Sequence, residues 1–173
     1  MHFFILGPSG VGKTTFGDWV AANLPYLHIP LDRGDDGNGL VIEGLDQLWI
    51  NKDWPGLARE LDRRAQDAGK LGCVLTIWGS LHCAADQIPH FAQVGIAVRY
   101  LFASGEACVA AFTQREAIAG HPERGEEFWS RYNAATYAEV ARRDMIPYRV
   151  DVLDPFGARR PLDEVARQLG MRI

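Results

Sequence analysis

Cysteine is scarce and unpatterned. Cys73, Cys83 and Cys108 are odd in number and lack C-x-x-C spacing, which argues against a disulfide framework or a zinc site and for free thiols in a reducing compartment. No stretch approaches the roughly 20 apolar residues that a bilayer-spanning helix needs. Met1 also runs straight into an apolar segment, so neither a membrane anchor nor a signal peptide is expected, and the cytoplasm is the default location. Positive charge is not in excess: a net charge of −4 and a pI near 5.7 give no general attraction to nucleic acid or to an anionic membrane. Repeats, low-complexity tracts and linkers are missing, and 173 residues with 47% hydrophobic content suit one domain, residues 1–173, around a single core.

What is present begins at the first residues. Phe3-Phe4-Ile5-Leu6 suits a buried strand, Gly7-Pro8-Ser9-Gly10-Val11-Gly12-Lys13-Thr14 fits G-x-x-x-x-G-K-[ST] at every fixed position, and Phe16, Trp19, Val20 and Leu24 follow at helical spacing. Strand, glycine loop and helix is the order that a phosphate-binding loop requires. Polyphosphate is held by successive backbone N–H groups turned inward, and glycines keep side chains out of that bend. Gly7, Ser9, Gly10, Val11 and Gly12 are therefore assigned to nucleotide binding. Lys13, expected on an accessible loop, can reach the β- and γ-phosphates. The Thr14 hydroxyl is a ligand for Mg²⁺, Thr15 adds an α-phosphate contact, and the helix N-terminus adds its partial positive charge.

The rest of the chain alternates strand and helix patterns. A second strand, Tyr26 to Ile29, runs into the polar loop Asp32-Arg33-Gly34-Asp35-Asp36-Gly37-Asn38-Gly39, whose carboxylates stand beyond a strand's C-terminal end, where open α/β sheets place their sites. Asp32 is nearest to that end; the alternative for the cluster is an acidic, solvated turn. A short helix is expected within Leu40 to Trp49, and a longer one, started by Asp53 or Trp54, buries Leu57, Leu61, Ala65 and Ala68 while turning Arg59 and Arg63 to another face. Cys73 to Trp78 is the third strand. Motor-type ATPases place an acid at the end of such a strand, but Gly79-Ser80 follows here, which moves the metal-side acid to Asp32 and disfavours a motor.

A helix is expected from Leu81 to Gln93 and a fourth strand from Ile96 to Phe102. Ser104 then caps a helix with Val109, Phe112 and Ile118 inward and Arg115 outward. Gly120-His121-Pro122-Glu123-Arg124-Gly125 makes a short flap between two helices, a lid spanning about residues 116–127. A long aromatic helix from Glu126 to Arg143 carries Arg131 near its start, Pro147 to Val152 gives a fifth strand, and Pro161 opens the last helix with Leu162, Val165 and Leu169 inward.

Five alternating strands argue for an α/β fold of three αβα layers around a five-stranded parallel sheet. With the loop described above, the chain resembles the P-loop nucleoside monophosphate kinase-like superfamily, and most of all its shikimate kinase and gluconate kinase branch. In that branch the second strand ends in a D-x-D-like segment, and Leu31-Asp32-Arg33 stands in the comparable place. Leu57-Ala58-Arg59-Glu60-Leu61-Asp62 is loosely similar to its F-R-x-x-E helix, Gly79-Ser80 to its glycine-rich strand end, and Tyr137-Ala138-Glu139-Val140-Ala141 to part of its pattern after the lid. The chain departs where relatives carry paired arginines, since Ala111 replaces the first and Arg115 matches the second.

The resemblance implies phosphoryl transfer from ATP with Mg²⁺ to a small acceptor bound within about residues 32–70. Lys13, Asp32, Arg115 and Arg124 are the expected catalytic groups. Asp32, Arg59, Gly79, Ser80 and Arg131 are the expected acceptor contacts, and Thr14 and Asp32 the metal ligands. The partners are then a nucleoside triphosphate and a small molecule, with no nucleic acid or membrane, for a monomer or homodimer. One alternative is a nucleoside monophosphate kinase, for which Trp49, Trp54 and Trp78 offer stacking faces. Others are a nucleotide-binding switch and an NTP hydrolase.

Overall fold

The computed structural model describes residues 1–31, 44–77, 87–118, 127, 131, 134, 136–138 and 142–173. Its strands are β1 (His2–Leu6), β2 (Tyr26–Pro30), β3 (Gly72–Thr76), β4 (Ile96–Phe102) and β5 (Arg149–Asp151). Helices α1 (Lys13–Asn23), α2 (Asp46–Ile50), α3 (Trp54–Asp67), α4 (Ile88–Gln93), α5 (Gly105–Ile118) and α6 (Leu162–Gln168) lie between and after them, with a 3₁₀ turn at Arg143–Tyr148. One five-stranded sheet results, in the order β2-β3-β1-β4-β5. β1 and β2 pair with β3 in parallel, as β4 does with β5. This is the expected five-stranded parallel α/β architecture.

Burial explains the order. Every residue of β1 and β3 is buried, as continuous apolar runs require when both faces of a parallel strand are covered. The outer strands β2 and β5 are only partly buried, which suits sheet edges. β1 lies at the centre and the chain departs from it in both directions, so the loop after Leu6 leaves the sheet where the strand order reverses.

Contacts fall into two compact units. The first comprises Met1–Ile5, Thr14–Ile77 and Cys83–Arg99, and the second Leu6–Lys13, Trp78–His82 and Tyr100–Ile173. In the first, Phe4 of β1, Trp49 of α2, Trp54 of α3 and Phe91 of α4 form one aromatic cluster, with ring centroids 4.6 to 5.8 Å apart. Such pairs add about 0.5–1.5 kcal/mol each beyond their buried area, so Trp49 and Trp54 are packing residues. The Asp53 carboxylate accepts from Gly56 N at 2.9 Å and starts α3, with Pro55 in its first turn. In the second unit the Ser104 hydroxyl accepts from Ala107 N at 3.3 Å and caps α5.

Several expected boundaries shift. α4 begins at Ile88, so Pro89 stands in its first turn, where a missing N–H costs nothing, instead of near its end; residues 78–86 lie outside the described ones. Pro147 and Tyr148 belong to the 3₁₀ turn, leaving β5 three residues long. Ala68 is the C-cap of α3 and is exposed, and Ile118 at the end of α5 is 81% exposed. Both sit at helix ends, where the periodic stripe outruns the core.

A buried histidine ties the first unit together. Cys73 N donates to His2 Nδ1 at 3.1 Å, so the ring proton is on Nε2, which donates to Asp62 Oδ1 at 3.0 Å. Burial pushes the His2 pKa below its ordinary 6.5, against the opposing pull of Asp62. The unfolded chain therefore takes up a proton near pH 6.5 while the folded chain does not. Stability from this group is complete above that pH and is lost as the pH falls toward the folded pKa. Thermal unfolding of wild type should weaken between pH 7 and 5 more steeply than that of His2→Gln, and equal slopes would remove His2 from the titration.

Candidate functional site

The loop after β1 has the backbone its glycines permit. Gly7, Gly10 and Gly12 have φ of +144°, +85° and +98°, conformations that L side chains rarely adopt. Space adds a second requirement at Gly7, where a Cβ would stand 2.4 Å from the Leu101 carbonyl oxygen of β4. Val11 N donates to Pro8 O at 3.3 Å and closes the bend, and α1 starts at once with Lys13. The bend runs directly into the positive end of a helix of 11 residues.

Lys13 is buried rather than accessible, at 6% exposure. Its ammonium crosses the loop and donates to Gly7 O at 2.9 Å and Pro8 O at 3.0 Å, which offsets the cost of burying the charge.

A second cation stands against the loop. The Arg159 guanidinium lies so near Gly12 that a Cβ there would meet its Nη1 at 2.9 Å. Arg159 comes from the connection between β5 and α6, which the Asp154 carboxylate shapes by accepting from Phe156 N and Ala158 N, both at 2.9 Å. Beside it is a pocket of about 370 Å³, lined by Phe102, Ala103 and Ser104 from β4 and its end, Asp151 and Leu153, and the turn residues Asp154, Pro155 and Gly157 with Arg160. Arg149 stacks on the Phe102 ring at 3.8 Å and pairs with Asp151 at 2.8 Å. Arg159 is not among the residues that the sequence singles out; the signal available for it is its place after a strand's C-terminal end, the rule applied to Asp32.

The remaining candidates divide. Ser9 and Val11 are buried, Thr14 is half-buried and Thr15 is exposed. Arg63 of α3 is held by Glu60 and Asp67, and Arg63 with Arg64 draws the Glu60 carboxyl down to about 2, whereas Arg59 is exposed. Arg115 is exposed in the last turn of α5, and Arg131 is 79% exposed and paired with Glu127. Asp32, Gly79, Ser80, Arg124 and residues 119–126 of the expected lid lie outside the described residues. Among the described residues no group of three or more His, Cys, Asp or Glu is placed to hold a metal. Cys73 and Cys108 are free and buried, and burial raises both thiol pKa values, that of Cys73 to about 11, so they remain protonated and unreactive.

The sheet order, the loop at its centre and the helices around it define a P-loop kinase fold. Over 98% of its length the chain is similar to 95% of the shikimate kinase from Bacteroides thetaiotaomicron, with a TM-score of 0.53 at 16% identity. A gluconokinase from Sinorhizobium meliloti 1021 is 17% identical over 97% of this chain and 88% of that one, with a TM-score of 0.49. A deoxyadenosine kinase from M. mycoides with bound dATP is 15% identical over 98% and 99%, with a TM-score of 0.48. No protein-family model and no curated protein matches the chain. The likeness to the Bacteroides enzyme establishes the shared fold.

Gly7→Ala tests the loop's geometry. Left-handed strain costs about 1–3 kcal/mol, and the contact with the Leu101 carbonyl cannot be relieved by a side-chain rotation. The variant should melt below wild type and lose nucleotide affinity in calorimetry; unchanged values for both would show that the loop does not need this backbone.

Proposed function

We propose that the chain is an ATP-dependent phosphotransferase that moves a γ-phosphoryl group onto a hydroxyl of a small acceptor, with residues 1–173 acting as one kinase-like domain. The observation that carries this reading is the glycine bend of residues 7–13 with Lys13 folded across it and Arg159 against it. It combines inward backbone donors, a movable ammonium and a second cation, as polyphosphate requires. The pocket between Phe102 and the Asp154 turn has the size and the apolar walls for the base of the nucleotide.

In this reading Gly7, Ser9, Gly10, Val11, Gly12 and Thr15 hold the phosphates and Lys13 moves to the β- and γ-oxygens. Thr14 and Asp32 are the protein ligands for Mg²⁺, which when bound neutralises charge on those oxygens. The Thr14 hydroxyl, at the helix start beside Lys13, is a hard oxygen donor that fits this ion. Asp32 orients the acceptor hydroxyl and takes its proton as the acceptor oxygen bonds to phosphorus and ADP leaves. Arg59, Gly79, Ser80 and Arg131 contact the acceptor, within about residues 32–70 and beyond. Arg115, or Arg124 from a lid of residues 116–127, stabilises the charge on the transferring group. Trp49 and Trp54 pack against Phe4, Phe91 and each other, a core role rather than a binding one, and on that packing we favour a small non-nucleotide acceptor. The protein then works in the cytoplasm as a monomer or homodimer.

An acceptor panel with ATP and Mg²⁺ tests the reaction class: phosphorylated alcohols support it, and phosphate release that needs no acceptor points instead to hydrolysis. In the active pairing, Lys13→Ala and Asp32→Asn should each lower turnover by about a hundredfold or more, Asp32→Asn with nucleotide affinity retained. Wild-type turnover in Lys13→Ala would take the loop out of the mechanism. Arg124→Ala should lower the rate more than the affinity for ATP, and normal turnover would pass its role to Arg115 or Arg131.

A further inference from the structure

The pocket between Phe102 and the Asp154 turn is tied to the glycine loop on two sides, both within the second unit. A Cβ on Gly7 would stand 2.4 Å from the Leu101 carbonyl oxygen, and Leu101 runs straight into the lining residues Phe102, Ala103 and Ser104. A Cβ on Gly12 would meet Arg159 Nη1 at 2.9 Å, and Arg159 lies between the lining residues Gly157 and Arg160. Backbone bonds from Asp154 N to Ala158 O at 2.8 Å and from Arg160 N to Val152 O at 2.9 Å tie that connection down. Neighbouring Cα atoms are about 3.8 Å apart, so the pocket opens within a residue or two of the loop, a gap that a ribose can bridge.

The polar side chains on the pocket walls have different duties. Arg160 donates to Leu153 O and to Glu164, Asp154 accepts two backbone N–H groups through Oδ1 and shapes the turn, and Ser104 caps α5. These three build the frame. Asp151, at the end of β5, has its side chain 49% exposed, and only its Oδ1 is engaged, by Arg149 Nε at 2.9 Å and Nη2 at 2.8 Å. The same guanidinium lies 3.8 Å over the Phe102 ring, so the carboxylate is held beside the aromatic wall of the pocket. Among the described residues nothing donates to its Oδ2.

An open carboxylate oxygen accepts N–H groups and repels oxo oxygens and phosphates. A nucleotide therefore enters with its base toward Asp151 and its phosphates toward Lys13 and Arg159. A pocket of about 370 Å³ with apolar faces takes a bicyclic base. We propose that Asp151 is the specificity-determining residue of this pocket, its Oδ2 accepting from the exocyclic amine of a purine. The proposal rests on the reading of the loop as a nucleotide site and of the pocket as the place of the base.

The test uses the full chain, calorimetry in one Mg²⁺ buffer, and two pairs of ligands that differ by an amine: ADP against purine riboside 5′-diphosphate, and GDP against IDP. Wild type should bind the aminated member about tenfold more tightly in the ADP pair, and Asp151→Val should bring that pair within about twofold while leaving pyrophosphate affinity unchanged. Valine suits an edge strand. Melting curves check that the variant is folded at the assay temperature, and Asp151→Ala replaces it if it is not. A preference confined to the guanine pair and lost in the variant keeps Asp151 as the reader and replaces ATP by GTP. Equal affinities within both pairs in wild type, or a preference that survives in the folded variant, overturn the proposal. Binding of pyrophosphate without binding of any nucleotide overturns it while the loop reading stands, and binding of neither removes the loop reading as well.

Discussion

The arrangement of the site depends on one close approach, that of the backbone at Gly7 to the Leu101 carbonyl of β4. The chain must leave the buried central strand and turn at once, and no Cβ fits at Gly7, where that turn begins. Once the bend is made at Gly7 and continued at Gly10 and Gly12, the start of α1 is brought directly behind it. Lys13 is held across the bend by carbonyls of the loop itself.

The two units supply different kinds of support. In the first, aromatic rings from β1, α2, α3 and α4 interlock, and two buried histidines bridge elements far apart in sequence: His2 joins β1 to α3 and β3, and His28 joins β2 to α1 and β3. The two imidazoles are themselves buried, so their bonds tolerate little displacement, since an unpaired buried donor is costly. In the second, the connection after β5 is shaped by a single carboxylate, Asp154, that accepts two backbone N–H groups and presents Arg159 to the loop. One unit is held by packing and buried polar bonds, and the other brings backbone curvature and positive charge to the loop.

Charge placement follows the same division. Among the described residues, several arginines of exposed helix faces are tied to carboxylates one turn away, as Arg63 is to Glu60 and Asp67, Arg131 to Glu127 and Arg167 to Asp163. Such surface pairs contribute little to stability. Lys13 and Arg159 belong to a different setting, since both converge on one glycine-rich bend in a protein whose net charge is negative. Positive charge is thus concentrated locally at that bend and not over the molecule as a whole.

Much of this was legible in the residues alone. The phosphate loop is a contiguous motif whose glycines, lysine and threonine act through neighbouring backbone atoms, so its local spacing carries its meaning. The continuous apolar runs of β1 and β3 and the period of α3 likewise predicted central strands and an amphipathic helix, because burial on both faces or on one stripe leaves a direct pattern. Tertiary structure alone decided that Lys13 is buried, that Arg159 reaches Gly12 from 147 positions further along the chain, and that Gly17 makes room for His28. A lone arginine, a histidine within a strand and a glycine within a helix carry no periodicity. Their roles come from contacts between distant segments, and those contacts exist only once the sheet has brought its strands into order.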